Sequence, residues 1–171
     1  MKKLYLLILS FILVFILLII SGCHYTDNYK NGQQEFYSQS QYANAILKDL
    51  LSALVNNDKQ KIFNLFSEDV RNSDGFDAEI EQLINYFDGN VIFYEKIVGV
   101  AGGEIVRDGV LTHSHITNAN CKEIITSNSV YSISFTAILV DDREEREGLW
   151  RIWIGKSDED YMVIGSDNYD L

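Results

Sequence analysis

Proline is absent from the 171 residues and cysteine occurs only twice, at Cys23 and Cys121. Cys121 stands alone in the patterned part of the chain, so no intrachain disulfide is available there and stability must come from an apolar core. A lone cysteine on a strand reads as a small buried hydrophobe, because no local basic group is present to lower its pKa. Also missing are a glycine-rich phosphate loop, a Gly-x-Ser-x-Gly elbow, a His-Glu-x-x-His helix and a Cys-x-x-Cys pair, which disfavours the enzyme classes built on them. No cofactor is expected. Basic residues are few, 14 Lys and Arg against 25 Asp and Glu for a net charge of −11, and this excess of acid speaks against nucleic acid as a partner.

What is present begins at the amino terminus. Lys2 and Lys3 precede an apolar run from Leu4 to Ile20, and Ser21-Gly22 lead from it to Cys23. A charged start, an apolar middle and small residues at the end have the architecture of a secretory signal. At 1.5 Å per residue the run spans about 25 Å, short of the roughly 30 Å of a hydrocarbon core, which argues for a signal over an uncleaved span. In either case the two lysines keep the amino terminus cytoplasmic and place everything after Cys23 outside. Ile20-Ser21-Gly22-Cys23 closely resembles the lipobox of bacterial lipoproteins. That resemblance implies cleavage after Gly22, lipidation of Cys23, and a membrane partner reached through that residue on the extracytoplasmic face. Such a cysteine carries more than one acyl chain, as stable anchoring requires.

The organisation expected is a lipoprotein signal over residues 1–22, the lipidated cysteine and a polar tether over 23–39, and one domain over 40–171. Asp27, Asn28, Lys30, Asn31, Gly32, Gln33 and Gln34 give the tether little to bury. About 130 residues remain, enough for a single core and no second one. Loss of Lys2 and Lys3 with the signal moves the net charge from −11 to −13.

Ser38 and Gln41 predict a capping box, after which Ala43, Ile46, Leu47, Leu50, Leu51 and Leu54 recur at helical spacing until Asn56-Asn57-Asp58. Asp58 is expected to cap a shorter helix with Ile62, Phe63 and Phe66 on one face, ending near Ser67. A third helix, capped by Ser73 or Asp74, places Ile80, Leu83, Ile84 and Phe87 on one face and is expected to stop at Gly89. Beyond Gly89 the period changes to two. Strands are expected at about 90–100, 104–117, 121–126, 129–140, 149–155 and 160–165, with Ser127-Asn128 as a hairpin turn. Tyr131, Ile133, Phe135, Ala137 and Leu139 point one way and Ser132, Ser134 and Thr136 the other, so one sheet face is buried. Helices first and an antiparallel sheet afterwards define an α+β fold.

Ala53-Leu54-Val55-Asn56-Asn57-Asp58 followed by Ile62-Phe63-Asn64-Leu65-Phe66-Ser67-Glu68-Asp69-Val70 resembles the opening of the nuclear transport factor 2-like (cystatin-like, cone-shaped) fold. Phe87-Asp88-Gly89-Asn90, Lys122 to Thr126, Tyr131 to Phe135 and Glu147 to Ile152 are similar to an uncharacterised family of Gram-positive lipoproteins within it. The resemblance spans about residues 41–166 and implies helices packed on a curved sheet, with a pocket between them. It is nearly silent on activity, since this fold hosts isomerases, dehydratases, transport factors and association domains. It also implies that a homodimer through the sheet is open to the chain.

Candidate site residues are few. His113 and His115 lie two apart on a strand and share a face, but two ligands make no metal site, so none is expected. Neutral imidazoles would make this the most pH-responsive spot of the chain. Glu95, Glu104 and Glu123 read as solvated, and so does the acidic run Asp141, Asp142, Glu144, Glu145, Glu147, interrupted by Arg143 and Arg146 and lacking calcium-loop spacing. Tyr94, Tyr131, Trp150, Trp153 and Tyr161 are the rings able to line a shallow pocket for an apolar or sugar-like ligand. Trp150 and Trp153 have opposite parity, so only one can face the helices. The expectation is a non-catalytic module binding a small-molecule ligand or an envelope protein, with no catalytic residue assigned. A pocket-based isomerase, dehydratase or hydrolase is the alternative, and a self-associating structural domain the third.

Overall fold

The structure is a computed structural model that describes residues 39–156 and 160–166. The expected signal, Cys23 and most of the tether lie outside the described residues. Among those described, no helix is long and apolar enough to cross a membrane.

Among the described residues four helices come first: α1 over 39–55, α2 (Lys59–Leu65), α3 (Glu68–Arg71) and α4 (Phe76–Tyr86). Ala43, Leu47, Leu50, Leu51 and Leu54 give α1 its buried stripe. Asp58 caps α2 as expected, its carboxylate accepting from the Lys61 amide at 2.9 Å. The third expected helix is α4, but its cap differs. Gly75, at φ 84°, precedes Phe76 and supplies no side-chain cap. Its end differs too, because Phe87 is already extended and buried, two residues before the expected stop at Gly89.

Six strands follow: β1 (Val91–Tyr94), β2 (Ala101–Arg107), β3 (Val110–Thr126), β4 (Val130–Asp141), β5 (Gly148–Gly155) and β6 (Tyr161–Gly165). The pairings between these strands are antiparallel in the order β1-β3-β4-β5-β6, and β2 also pairs with β3. The arrangement is α+β, helices against a curved antiparallel sheet. Register shifts along β3 at Ser114/His115, Ile116/Ala119 and Cys121/Ile124 supply the coiling that lets one 17-residue strand serve β2 at one end and β1 at the other.

Two strand expectations are corrected. The single strand expected over 104–117 is a hairpin, turned at Asp108-Gly109 where both residues have positive φ, 52° and 79°. The strand expected over 90–100 stops at Tyr94. From there the Asn44 amide of α1 replaces a ladder, accepting from the Ile97 N–H at 3.0 Å and donating to the Ile97 carbonyl at 2.9 Å.

Across the sheet the inward rows are Ala119–Phe135–Ile152–Ile164 and Cys121–Ile133–Ile154–Met162, apolar throughout. They close on α1, α2 and α4 in one core that includes Leu47, Ile62, Phe76, Ile80 and Leu83. The helical layer is tied to the sheet where Ser67 N–H donates to the Leu149 carbonyl at 3.0 Å. Outward rows carry Asn120, Ser134, Trp153 and Val163, then Ser132, Gly155 and Tyr161. The polar alternation of β4 thus sets the face opposite the helices.

Candidate functional site

The inner face holds two of the aromatic candidates. Tyr131 is 1 % exposed, and its hydroxyl accepts from the Asp88 N–H at 2.7 Å and donates to the Tyr86 carbonyl at 3.1 Å. Its ring stacks on Phe87 with centroids 4.8 Å apart. Tyr131 therefore fastens the end of α4 to β4, and its polar group is spent in doing so. Trp150 is equally withdrawn: its indole N–H donates to the Arg146 carbonyl at 2.7 Å, and the Arg146 guanidinium lies 5.4 Å from the ring. Cys121 is buried as expected, donates to the Glu95 carbonyl at 3.1 Å, and burial pushes its thiol pKa up. Tyr94 sits half-buried on β1, against the core and remote in sheet order from β5.

Trp153 faces outward. It forms the aromatic part of a groove of about 460 Å³ whose lining also includes Asn120, Lys122, Ser132, Ser134 and Tyr161. The Arg151 guanidinium lies 5.0 Å from the Trp153 ring, and Ser134 donates to the Asn118 amide oxygen at 2.8 Å. Among the described residues the lining contains a lysine and no carboxylate, in a chain of net charge −11. A second hollow of about 370 Å³, between α2 and α4, has Lys59 and Asp77 in its lining, paired with each other at 3.5 Å.

The two histidines belong to a different construction, at the end of the sheet where β2, β3, β4 and the 3-10 turn Glu144–Arg146 meet. His113 Nδ1 lies 3.0 Å from Asp141 Oδ2, and His113 Nε2 lies 3.1 Å from His115 Nδ1. Arg146 Nη1 reaches the same Asp141 oxygen at 3.3 Å. With Asp141 ionised, His113 donates from Nδ1, accepts at Nε2 from the His115 Nδ1–H, and leaves His115 Nε2 as the free acceptor at the end of the chain. The His115 ring occupies the space a side chain at Gly103 would need, since a Cβ there would stand 2.9 Å from Cε1. Asp141 is not the solvated residue that its acidic run suggests: the β3–β4 register sets it opposite His113, and its side chain is 7 % exposed. No group of three or more His, Cys, Asp or Glu able to hold a metal is found among the described residues.

Burial, with a smaller contribution from His113, holds the His115 pKa below the ordinary 6.5. Burial works to raise the Asp141 carboxyl, but the Arg143 N–H it accepts, the His113 hydrogen bond and the Arg146 charge outweigh it and hold the group below 3.8. Both shifts act in one direction. The unfolded chain binds the His115 proton more readily, so that stability is complete above about pH 6.5 and is lost as pH falls through the lower folded value. The Asp141 contribution is likewise present above its unfolded pKa and lost on acidification below it. Urea unfolding midpoints are expected to fall from pH 7 to pH 5, and His115→Asn, which cannot titrate, is expected to flatten that decline. A midpoint independent of pH over this interval would contradict the assignment.

Residues 49–159, more than half of the chain, match the model of a family described as a domain of unknown function (DUF5104). No curated protein matches the chain.

Proposed function

Since the chain belongs to the DUF5104 family, whose description assigns no activity, we propose from its own surface that it is a non-catalytic binding module. The module is held at the extracytoplasmic face of a bacterial membrane by lipidated Cys23. Its helices and curved sheet form a cone of the nuclear transport factor 2-like type, but the ligand sits on the outer sheet face and not between the two layers. The observation that carries this reading is the groove around Trp153. A half-buried indole offers an apolar plane, and Asn120, Ser132 and Ser134 offer amide and hydroxyl groups at its side. Lys122 in the lining and Arg151 against the indole place positive charge where the rest of the chain is acidic. This combination suits a saccharide that bears an anionic group, because the ring face stacks while the charge is met by Lys122.

Trp153 is the outward tryptophan and Trp150 the buried one, so intrinsic fluorescence reports the groove directly. Uronic-acid oligosaccharides are expected to quench the emission saturably, neutral oligosaccharides of the same length to bind more weakly, and added salt to shift only the former. Trp153→Ala is expected to abolish the response while leaving the unfolding free energy within about 0.5 kcal/mol, as for a surface substitution away from the core. Saturable binding that survives Trp153→Ala would remove the groove from consideration. A second reading, catalysis, is favoured only by the Asp141–His113–His115 chain and its free His115 Nε2. Turnover of any substrate lost in His115→Asn would support it.

A further inference from the structure

The β2–β3 hairpin ends in apolar side chains that the core does not use. Val106 is 59 % exposed, Val110 63 %, Ile105 46 % and Leu111 37 %. They are distributed over both faces: Val106 pairs with Leu111, and the adjacent pair sets Val110 beside Arg107 on the opposite side. A tight two-residue turn at Asp108-Gly109 closes the tip, and Arg107 reaches Asp142 at 3.6 Å to hold the hairpin to the end of β4. We infer that this tip is a membrane wedge, dipping into the lipid surface from which the chain hangs.

A protein partner or a second copy covers one face of a hairpin, and the other would stay wet. Lipid surrounds both, which is what a tip apolar on both sides requires. Charge fits as well, since Arg107 and Asp108 are the only charged residues from Ile105 to Leu111, whereas the anchored chain as a whole, at −13 without Lys2 and Lys3, is repelled by anionic headgroups. Gln39, the first residue of the described chain after the tether, lies against Gly102 at the hairpin's root, where an added Cβ would stand 2.9 Å from its Oε1. The six steps from Gly102 to Asp108 cover about 20 Å at 3.3 Å per strand residue. The fifteen residues from His24 to Ser38 can extend to about 50 Å, so a chain fixed at Cys23 has ample length to set the tip on the bilayer.

The inference rests on the lipid anchor proposed above, and one sample separates the two. The full chain, carrying Val110→Cys labelled with a polarity-sensitive dye, is reconstituted in vesicles of phosphatidylcholine and phosphatidylglycerol, with and without spin-labelled lipid. Flotation with the vesicles reads the anchor, and loss of dye emission to the spin-labelled lipid reads the tip. The expected result is flotation with quenching at Val110→Cys and none at a control label on Asn64→Cys, an exposed position of α2. Flotation without quenching at Val110→Cys overturns the wedge and leaves the anchor standing. Absence of flotation overturns the anchor, and the wedge with it. Dye self-quenching between two Val110→Cys chains without lipid quenching overturns the wedge in favour of a second copy.

Discussion

Asp141→Ala is expected to lower the unfolding free energy by about 3 kcal/mol, the scale for breaking a buried, hydrogen-bonded charge pair by removing one partner. The carboxylate, with a side chain 7 % exposed, accepts from the backbone of Arg143 at 3.0 Å, from His113 and from Arg146, whose own side chain is 9 % exposed. Removing it takes one acceptor from Arg146 and one from His113 together, so three elements lose a common tie: β3, β4 and the Glu144–Arg146 turn. Asp141→Asn keeps an oxygen for the Arg143 N–H but sets an amide NH2 where Oδ2 accepted from His113 and Arg146, so it forfeits the charge and both of those bonds, and its loss is expected to be close to that of Asp141→Ala. His113→Ala in the Asp141→Ala background should then cost less than in the parent chain, since the interaction it would break is already gone. Urea unfolding of the four chains at pH 7 gives the coupling. Additive losses would mean that Asp141 and His113 are neighbours without being partners.

How much of this was legible beforehand depends on the range of the interaction concerned. Asp58, the apolar stripe of α1 and the alternation from Tyr131 to Ala137 declare themselves within a few residues, because capping and periodicity are local. The opposite parity of Trp150 and Trp153 was equally readable, and it separated a buried indole from the one in the groove. The Asp141–His113–His115 chain was not readable, because its partners lie 28 positions apart and meet only once the β3–β4 register is set. Asp108-Gly109 carried a turn signal inside what reads as one strand, and the alternating apolar residues around it masked the reversal. The truncation of β1 had no local signal at all, since Asn44 is 53 positions from the Ile97 backbone it satisfies. Asn120 and Lys122 of β3 and Ser132 of β4 gather beside Trp153 of β5 for the same reason: register brings the three strands' residues onto one face.

The second large effect is expected at Gly148, and it bears on whether the helical layer stays docked. Gly148 opens β5 with φ 126°, a region that side chains disfavour, and a Cβ there would stand 2.7 Å from the Ser67 nitrogen and 2.9 Å from the Phe66 carbonyl carbon. Both neighbours are backbone, and neither can swing aside. The same contact carries the Ser67 N–H to Leu149 carbonyl bond at 3.0 Å and the short parallel bridge between Phe66 and Leu149. Gly148→Ala therefore combines an unfavourable φ with a backbone clash, together about 2–5 kcal/mol. Its target is the seam that joins α2 and α3 to β5, and not the core in general. Gly109→Ala is the useful contrast, because that glycine has φ 79° but nothing within 4 Å of an added Cβ, so it isolates the conformational cost of about 1–2 kcal/mol. Thermal and urea unfolding of the two variants should differ by the clash alone. If Gly148→Ala were no worse than Gly109→Ala, the helices would have to move off β5 without loss, and the Ser67–Leu149 bond would hold no part of the fold together.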